Sequence, residues 1–376
     1  MVKNTPPLGW NSWNTFAENI DEKRIRETAD AMIESGLKDA GYEYVIIDDC
    51  WSEHTRGKDG KLRPDKKKFP SGMKALTDYI HSLGLKAGIY SCAGPLTCAG
   101  YPGSLGHEYV DAATFAEWGF DYLKYDYCYH PDFIPPKYLY RTMGTALSNS
   151  GRDILFAACS WGIKQTHEWI DGTGAHTWRS TGDIFDTFNS LRDLINAQKD
   201  ILPYGGIGCF NDMDMLITGM RGKGHVGIDG LTDEEYKMHM SVWSILASPL
   251  IIGCDIRNLD GVTKELLTNR DMLAINQDPR GCRAYIVNEG DVNGRNLSPV
   301  FARILEGGDL AVCFINLADN DERISILASQ LGLDFHHFKK VTFRDVWSGE
   351  ELPLENECMS LEMKPHTVRY FRVSIK

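Results

Sequence analysis

No stretch of this chain is apolar for long enough to span a membrane, and the opening Met1-Val2-Lys3-Asn4-Thr5-Pro6-Pro7 carries no apolar run of signal-peptide length. A membrane partner is therefore not expected. A cytoplasmic location is the default expectation, and a secreted one follows if a leader has been removed. Basic charge is also scarce: 40 Lys and Arg stand against 52 Asp and Glu, a formal net charge of -12. Lys66-Lys67-Lys68 is the one basic run, and a solvated loop accounts for it. With no basic face, a nucleic-acid partner is not expected. The ten Cys include no CxxC pair and no Cys/His cluster at zinc spacing. No phosphate-cradling glycine loop and no Ser-His-Asp order is seen either. Neither a metal nor a cofactor is expected, and most thiols are expected to be buried in strands. Internal repeats, low-complexity tracts and flexible linkers are absent as well.

What is present is a large apolar supply, 43% of 376 residues, enough for one big domain or two. Nine Trp and sixteen Tyr offer faces for stacking on sugars, and equally the filling of a large core. From the N-terminus to residue 280 a short apolar run, a polar or acidic ending and an amphipathic stretch recur in turn. The strand candidates are 8–13, 44–48, 86–90, 122–125, 154–158, 176–179, 206–210 and 250–254. Helical periodicity covers 22–35, 73–83, 112–118, 136–149, 184–200, 233–246 and 262–269. Asp21, Ser71, Asp111 and Thr232 are the expected N-caps, and Gly36 and Gly84 the expected C′ residues. Eight strands alternating with helices predict a (β/α)8 TIM barrel over residues 1–280. A doubly wound open sheet competes less well, because functional-looking residues follow nearly every strand instead of one switch point. After Asp278-Pro279-Arg280-Gly281 the pattern becomes strand-like alternation at 300–305, 310–316, 323–327, 341–345 and 367–373. Residues 281–376 therefore read as a small C-terminal antiparallel β-sandwich, packed rigidly on the barrel and structural in role.

In such a barrel the site lies at the C-terminal strand ends. Those ends supply Trp13, then Asp48-Asp49-Cys50-Trp51, then Tyr90, Lys124 with Asp126, and Cys159-Ser160-Trp161. The last three add Arg179 with Asp183, then Asp212, Asp214 and Met215, and finally Asp255. Acidic groups dominate, with two cations and several aromatics, an inventory that suits acid–base hydrolysis of an acetal. Glycoside cleavage needs two carboxyl groups flanking the scissile bond. Asp126 and Asp183 leave the fourth and sixth strands and can face each other. Lys124, on the same strand face as Asp126, is expected to hold it ionised and to bond a sugar hydroxyl. Arg179 is placed to orient a hydroxyl or tune the acid. Adjacent Asp48 and Asp49 suit neighbouring hydroxyls.

Plainer roles exist for each. Asp126 and Lys124 form an ordinary strand-end ion pair, Asp183 caps a helix beginning at Ile184, and Tyr90 and Trp51 are core aromatics. Asp48 and Asp49 lack the His partner a metal would want. One of Asp212 and Asp214 is expected only to anchor a loop or Arg179. His54, His107, His130, His176 and His225 show no functional spacing.

The blocks Pro7-Leu8-Gly9-Trp10-Asn11-Ser12-Trp13, Asp48-Asp49-Cys50-Trp51, Leu85-Lys86-Ala87-Gly88-Ile89-Tyr90, Cys98-Ala99-Gly100-Tyr101-Pro102-Gly103-Ser104, Lys124-Tyr125-Asp126-Tyr127-Cys128, Arg179-Ser180-Thr181-Gly182-Asp183-Ile184, Asn211-Asp212-Met213-Asp214-Met215-Leu216 and Ala274-Ile275-Asn276-Gln277-Asp278-Pro279 run in order through the chain. Together they closely resemble the α-galactosidase (melibiase) family of retaining glycoside hydrolases, which includes α-N-acetylgalactosaminidases. The resemblance implies Asp126 as nucleophile and Asp183 as acid/base. It further implies Asp48, Asp49 and Lys124 at the 4- and 6-hydroxyls of galactose, and Trp13, Tyr90 and Met215 lining the pocket. Cys128, Ser160, Trp161 and Arg179 complete the expected substrate-binding set, and Cys98 with Cys128 is the implied disulfide. A departure lies in Cys159-Ser160-Trp161-Gly162-Ile163. Many family members carry Glu where Ser160 stands, beside the sugar's 2-position. The N-acetylgalactosaminidases pair Ser there with a later Ala, where this chain has bulky Ile163. The expected substrate is a galactose-containing oligosaccharide; an α-N-acetylgalactosaminide, a β-L-arabinopyranoside and a non-catalytic sugar-binding role are the alternatives, and a homo-oligomer is left open.

Overall fold

The apolar runs become parallel strands because most of their residues are buried on both sides, the condition of a sheet covered on both faces. A computed structural model describes residues 4–288, 298–333, 341–354 and 357–375; Met1, Val2 and Lys3 of the N-terminal stretch lie outside the described residues. Among the described residues the strands are β1 Leu8–Asn11, β2 Tyr44–Ile47, β3 Lys86–Cys92, β4 Tyr122–Asp126, β5 Leu155–Ala158, β6 Thr177–Arg179, β7 Phe210–Asp212 and β8 Leu250–Ile252. They neighbour one another in the order β7-β6-β5-β4-β3-β2-β1-β8, each pair parallel. The ring closes by one bridge beyond β7. Leu216 N–H donates to Ile251 O at 2.7 Å, and Gly253 N–H donates to Leu216 O at 2.9 Å. The result is a (β/α)8 barrel followed by an antiparallel sandwich.

The two-residue period of a strand divides each segment between barrel interior and helical shell. Tyr44, Ile46, Tyr122, Ala157 and Ile251 pack together inside. Val45, Ile47, Leu123, Phe156, Ala158, Leu250 and Ile252 belong to the larger outer core. On β4 the inward series Tyr122, Lys124, Asp126 therefore runs from a packed aromatic up to two charges at the C-terminal mouth. Gly9 on β1 shows how tight the interior is: a Cβ there would lie 2.7 Å from Cβ and O of Tyr44.

Helix signals held in part. Asp21 accepts from Arg24 N–H at 2.8 Å, and Gly36 and Gly84 follow their helices at φ 81° and 70°. Thr232 forms a complete capping box with Glu235. Ser71 makes no capping bond with its side chain. Asp111 lies inside a helix that already starts at Glu108, and it is buried against Arg56 at 2.6 Å; an ion pair, not a cap, is its role. The expected helix at 184–200 begins only at Phe188, capped by Thr187. The seventh strand starts at Phe210 instead of ending there, because Gly205, Gly206 and Gly208 take φ values of 83°, 121° and 90° that no strand tolerates.

In the C-terminal part, β9 Tyr285–Ile286, β10 Val300–Ile304, β11 Leu310–Ile315, β12 Glu322–Leu327, β13 Val341–Asp345, β14 Glu351–Leu352, β15 Cys358–Met363 and β16 Val368–Ile375 make antiparallel pairs. One sheet runs β14-β13-β16-β11-β10-β9 and β12 pairs with β15. Phe301, Ile315 and Tyr370 from this part join the barrel's own outer core. Trp347 Nε1 donates to Ser241 Oγ at 2.9 Å, and the Ser244 and Tyr370 hydroxyls lie 3.0 Å apart. The helix Asp233–Ile245 thus serves both parts at once.

Removing the Thr232 cap as Thr232→Ala is expected to cost about 1 kcal/mol. Urea unfolding followed by Trp fluorescence checks this; an unchanged midpoint would show that the cap contributes nothing.

Candidate active site

The strand ends converge on a cavity of about 610 Å³, including its open mouth. It is lined by Trp13, Asp48, Asp49, Tyr90, Lys124, Trp161, Arg179, Asp183, Asp214 and Met215, with Asp126, and also by Asn14, Phe185 and His225, which the sequence does not single out. Cys98 and Cys159 complete the polar wall.

At the floor, Lys124 Nζ donates to Asp48 Oδ2 at 2.8 Å, an oxygen that also accepts from Asn11 Nδ2 at 2.7 Å. Asp49 is held by the N–H groups of Cys50 at 2.7 Å and Ala99 at 3.0 Å. Burial raises the Asp49 carboxyl above its ordinary range even so, with Asp48 adding to the effect. Burial pulls the Lys124 ammonium down, but the acidic groups around it, Asp48 foremost and Asp126 with it, together outweigh that and keep it charged.

Asp126 ends β4 and is 5% exposed. Its Oδ2 accepts from the Tyr90 hydroxyl at 3.0 Å and its Oδ1 from Tyr127 N–H at 2.9 Å. Tyr90 stands opposite Lys124 in the β3–β4 register, and the Lys124 ammonium lies 5.4 Å from the Tyr90 ring centre. Burial pushes the Asp126 carboxyl up to about 6, although Lys124, Tyr127 and Tyr90 all pull it down. Lys124 acts on Asp126 in the expected sense, favouring its ionised form, but desolvation is the larger effect, and the ammonium's own hydrogen bond goes to Asp48.

Arg179 links the other wall. Its NH1 lies 2.9 Å from Asp214 Oδ1 and its NH2 donates to Asp183 Oδ1 at 3.0 Å. Asp214, on a left-handed backbone at φ 82°, also accepts from Ile184 N–H at 2.7 Å. It therefore anchors Arg179, as one of Asp212 and Asp214 was expected to, and it also fixes the loop that carries Asp183. Ile184 N–H goes to Asp214, so Asp183 is not a helix cap. Burial works against the Asp183 charge, but Arg179 overcomes it and holds the carboxyl below its usual range. The Asp183 side chain is 62% exposed against 5% for Arg179.

Two expected binding residues lie off the cavity wall. Ser160 is fully buried, its hydroxyl 2.7 Å from that of Thr166, and Trp161, at φ 53°, is the residue of this turn that meets the cavity. Cys128 is joined to Cys98 in a disulfide, and only Cys98 meets the cavity, its sulfur 3.5 Å from Asp126 Oδ2. Among the described residues, Cys98, Asp126 and Cys128 form a group close enough to hold a metal ion, but sulfurs joined to each other are not the thiolates a metal binds. Trp51 is a core aromatic that donates from Nε1 to Tyr90 O at 2.9 Å. Asp214 was visible as a strand-end carboxylate. His225 and Phe185 carried no sequence signal beyond, for Phe185, its nearness to Asp183.

Both parts of the chain match known families. A family described as "Alpha galactosidase A" matches residues 5–278, and one described as "Alpha galactosidase C-terminal beta sandwich domain" matches residues 296–373. The "Alpha-galactosidase A" of Cellvibrio japonicus is 44% identical over 100% of this chain and 93% of its own length. The structure of α-galactosidase I from Mortierella vinacea superposes with a TM-score of 0.90 at 35% identity, covering 98% of this chain and 96% of that one. The α-galactosidase of Saccharomyces cerevisiae, solved with raffinose, superposes with a TM-score of 0.87 at 28% identity, covering 99% and 98%. The agreement extends through barrel and sandwich alike, and the chain belongs to the α-galactosidase (melibiase) family of glycoside hydrolases.

Proposed function

We propose that this protein is a retaining exo-acting glycoside hydrolase that releases terminal α-linked galactose from oligosaccharides or glycoconjugates. One observation carries the reading: a deeply buried carboxylate, Asp126, and an exposed one held by arginine, Asp183, share a single blind cavity whose floor is the Lys124–Asp48–Asp49 cluster. The full-length likeness to α-galactosidases supports α-linked galactose as the sugar released.

In this reading the galactose ring sits on the floor, its hydroxyls meeting Asp48, Asp49 and Lys124. Asp126 attacks the anomeric carbon and forms a glycosyl ester as the C–O bond to the leaving group breaks; Asp183 gives that oxygen its proton. Water then attacks the anomeric carbon, Asp183 takes the water's proton, and the bond from that carbon to Asp126 breaks so that Asp126 departs as carboxylate. In the empty site Asp183 is kept ionised by Arg179, the state needed in the second half. A bound sugar excludes water from this exposed carboxyl and favours its protonated form for the first half. The buried Ser160 hydroxyl, turned to Thr166, offers an acetamide no partner, which favours a free 2-hydroxyl over the N-acetyl substrate. Asp48 at the 6-hydroxyl side favours galactose over β-L-arabinopyranoside, which lacks C6.

Asp126→Asn is expected to abolish turnover of an aryl α-galactoside while unfolding stays unchanged; near-normal activity would overturn the nucleophile assignment. Parallel rates on aryl α-galactoside, α-N-acetylgalactosaminide and β-L-arabinopyranoside should be highest on the first. The attacking carboxylate must be ionised, and its ordinary range is raised to about 6. For an aryl galactoside whose leaving group needs no proton, kcat/KM should fall as pH drops through about 6. Lys124→Met removes a charge that pulls Asp126 down, so the acid limb should move to higher pH. A limb that stays in place would refute that coupling.

A further inference from the structure

The exposure of the two carboxylates gives the cavity a direction. Asp48 and Asp126 at the floor have lost nearly all contact with water, whereas the Asp183 side chain is 62% exposed at the mouth. A sugar whose anomeric carbon meets Asp126 and whose leaving oxygen meets Asp183 must therefore send its leaving group outward past Asp183. Four rings line the cavity, Trp13, Trp161, Phe185 and His225, and of these Phe185 and His225 are exposed. Trp13 and His225 meet edge to face with ring centres 5.3 Å apart.

Phe185 is the least explained of these by packing. It is 44% exposed, a large apolar ring two residues beyond the acid. A lone exposed phenylalanine is unremarkable, but this one lines the cavity and is carried on a loop anchored at every step. Ile184 N–H donates to Asp214 at 2.7 Å and Phe185 N–H to Ser190 Oγ at 2.9 Å. Asp186 N–H donates to Val226 O at 3.0 Å. The fully buried Asp186 carboxylate accepts from Gly222 N–H at 2.8 Å, Leu231 N–H at 3.1 Å and the Tyr236 hydroxyl at 3.0 Å. The same bonds tie the loop of Phe185 to the loop of His225, whose N–H donates to Asn14 O at 2.7 Å. With its backbone held this firmly, Phe185 has only its two side-chain torsions to lose on contact with a ligand.

We propose that Phe185 is a specificity-determining residue that packs against a sugar ring in the leaving-group position, so that the preferred leaving group is a pyranose and not a small alcohol or ion. An aromatic face against the C–H face of a pyranose is the chemistry that recognises it. This inference rests on the reading of Asp183 as the acid that protonates the leaving oxygen.

The test compares kcat/KM on melibiose, whose leaving group is glucose, with kcat/KM on α-galactosyl fluoride, whose leaving fluoride has no ring and needs no proton. Phe185→Ala and Phe185→Leu should each lower the melibiose-to-fluoride ratio about tenfold, equivalent to about 1.4 kcal/mol, and Phe185→Trp should keep it. A ratio unchanged in both the alanine and leucine variants overturns the proposal, as does an equal loss on the two substrates. Wild-type protein inactive on both substrates would overturn the galactosidase reading itself, an outcome distinct from an active enzyme whose ratio ignores Phe185.

Discussion

The ion pair between Lys124 and Asp48 is the contact on which the site is built. Both groups are taken out of water, with side-chain exposures of 15% and 2%, and each alone would cost several kcal/mol to bury. Only a partner at hydrogen-bond distance makes that tolerable, and here the partner sits at the end of another strand. The bond spans from β4 to β2 across β3. It fixes the height of the ammonium over the Tyr90 ring and leaves that tyrosine's hydroxyl to meet Asp126. Loss of either charge would leave the other buried and unpaired, so the floor stands or falls as a unit.

Arg179 plays the same part on the opposite wall, with a different result. Its guanidinium is buried between Asp214 and Asp183, yet only Asp214 shares that burial. Asp183 keeps one side in water. The two carboxylates assigned to the proposed reaction are thus chemically alike but placed differently: desolvation raises Asp126, and a cation holds the solvated Asp183 ionised. Environment, and not residue type, separates their roles. The left-handed Asp214 backbone that makes this possible is a strain of the kind concentrated at functional sites.

Much of this was legible in one dimension. Parity along β4 put Tyr122, Lys124 and Asp126 on one face, and the eight apolar runs announced the barrel, because both signals depend only on near neighbours in the chain. Where a side-chain role differs from the local reading, a partner that the strand or helix pattern does not show is the cause. Asp111 looked like a cap until Arg56 claimed it. Ser160 looked like a sugar contact until Thr166 took its hydroxyl. Phe185 and His225 carry no local signal of a site, because their loops are tied together by Asp186, whose partners lie on another segment of the chain.

The sequence by itself determined the architecture and the family and singled out the two carboxylates of the proposed reaction, since periodicity, strand-end residues and motif order are properties of local stretches. Tertiary structure alone decided which of those groups are dry, which cation serves which acid, and which rings stand at the mouth. Those are matters of how far a charge lies from water and from its neighbours. They take their values only when the ring of strands closes and the loops above it are tied together.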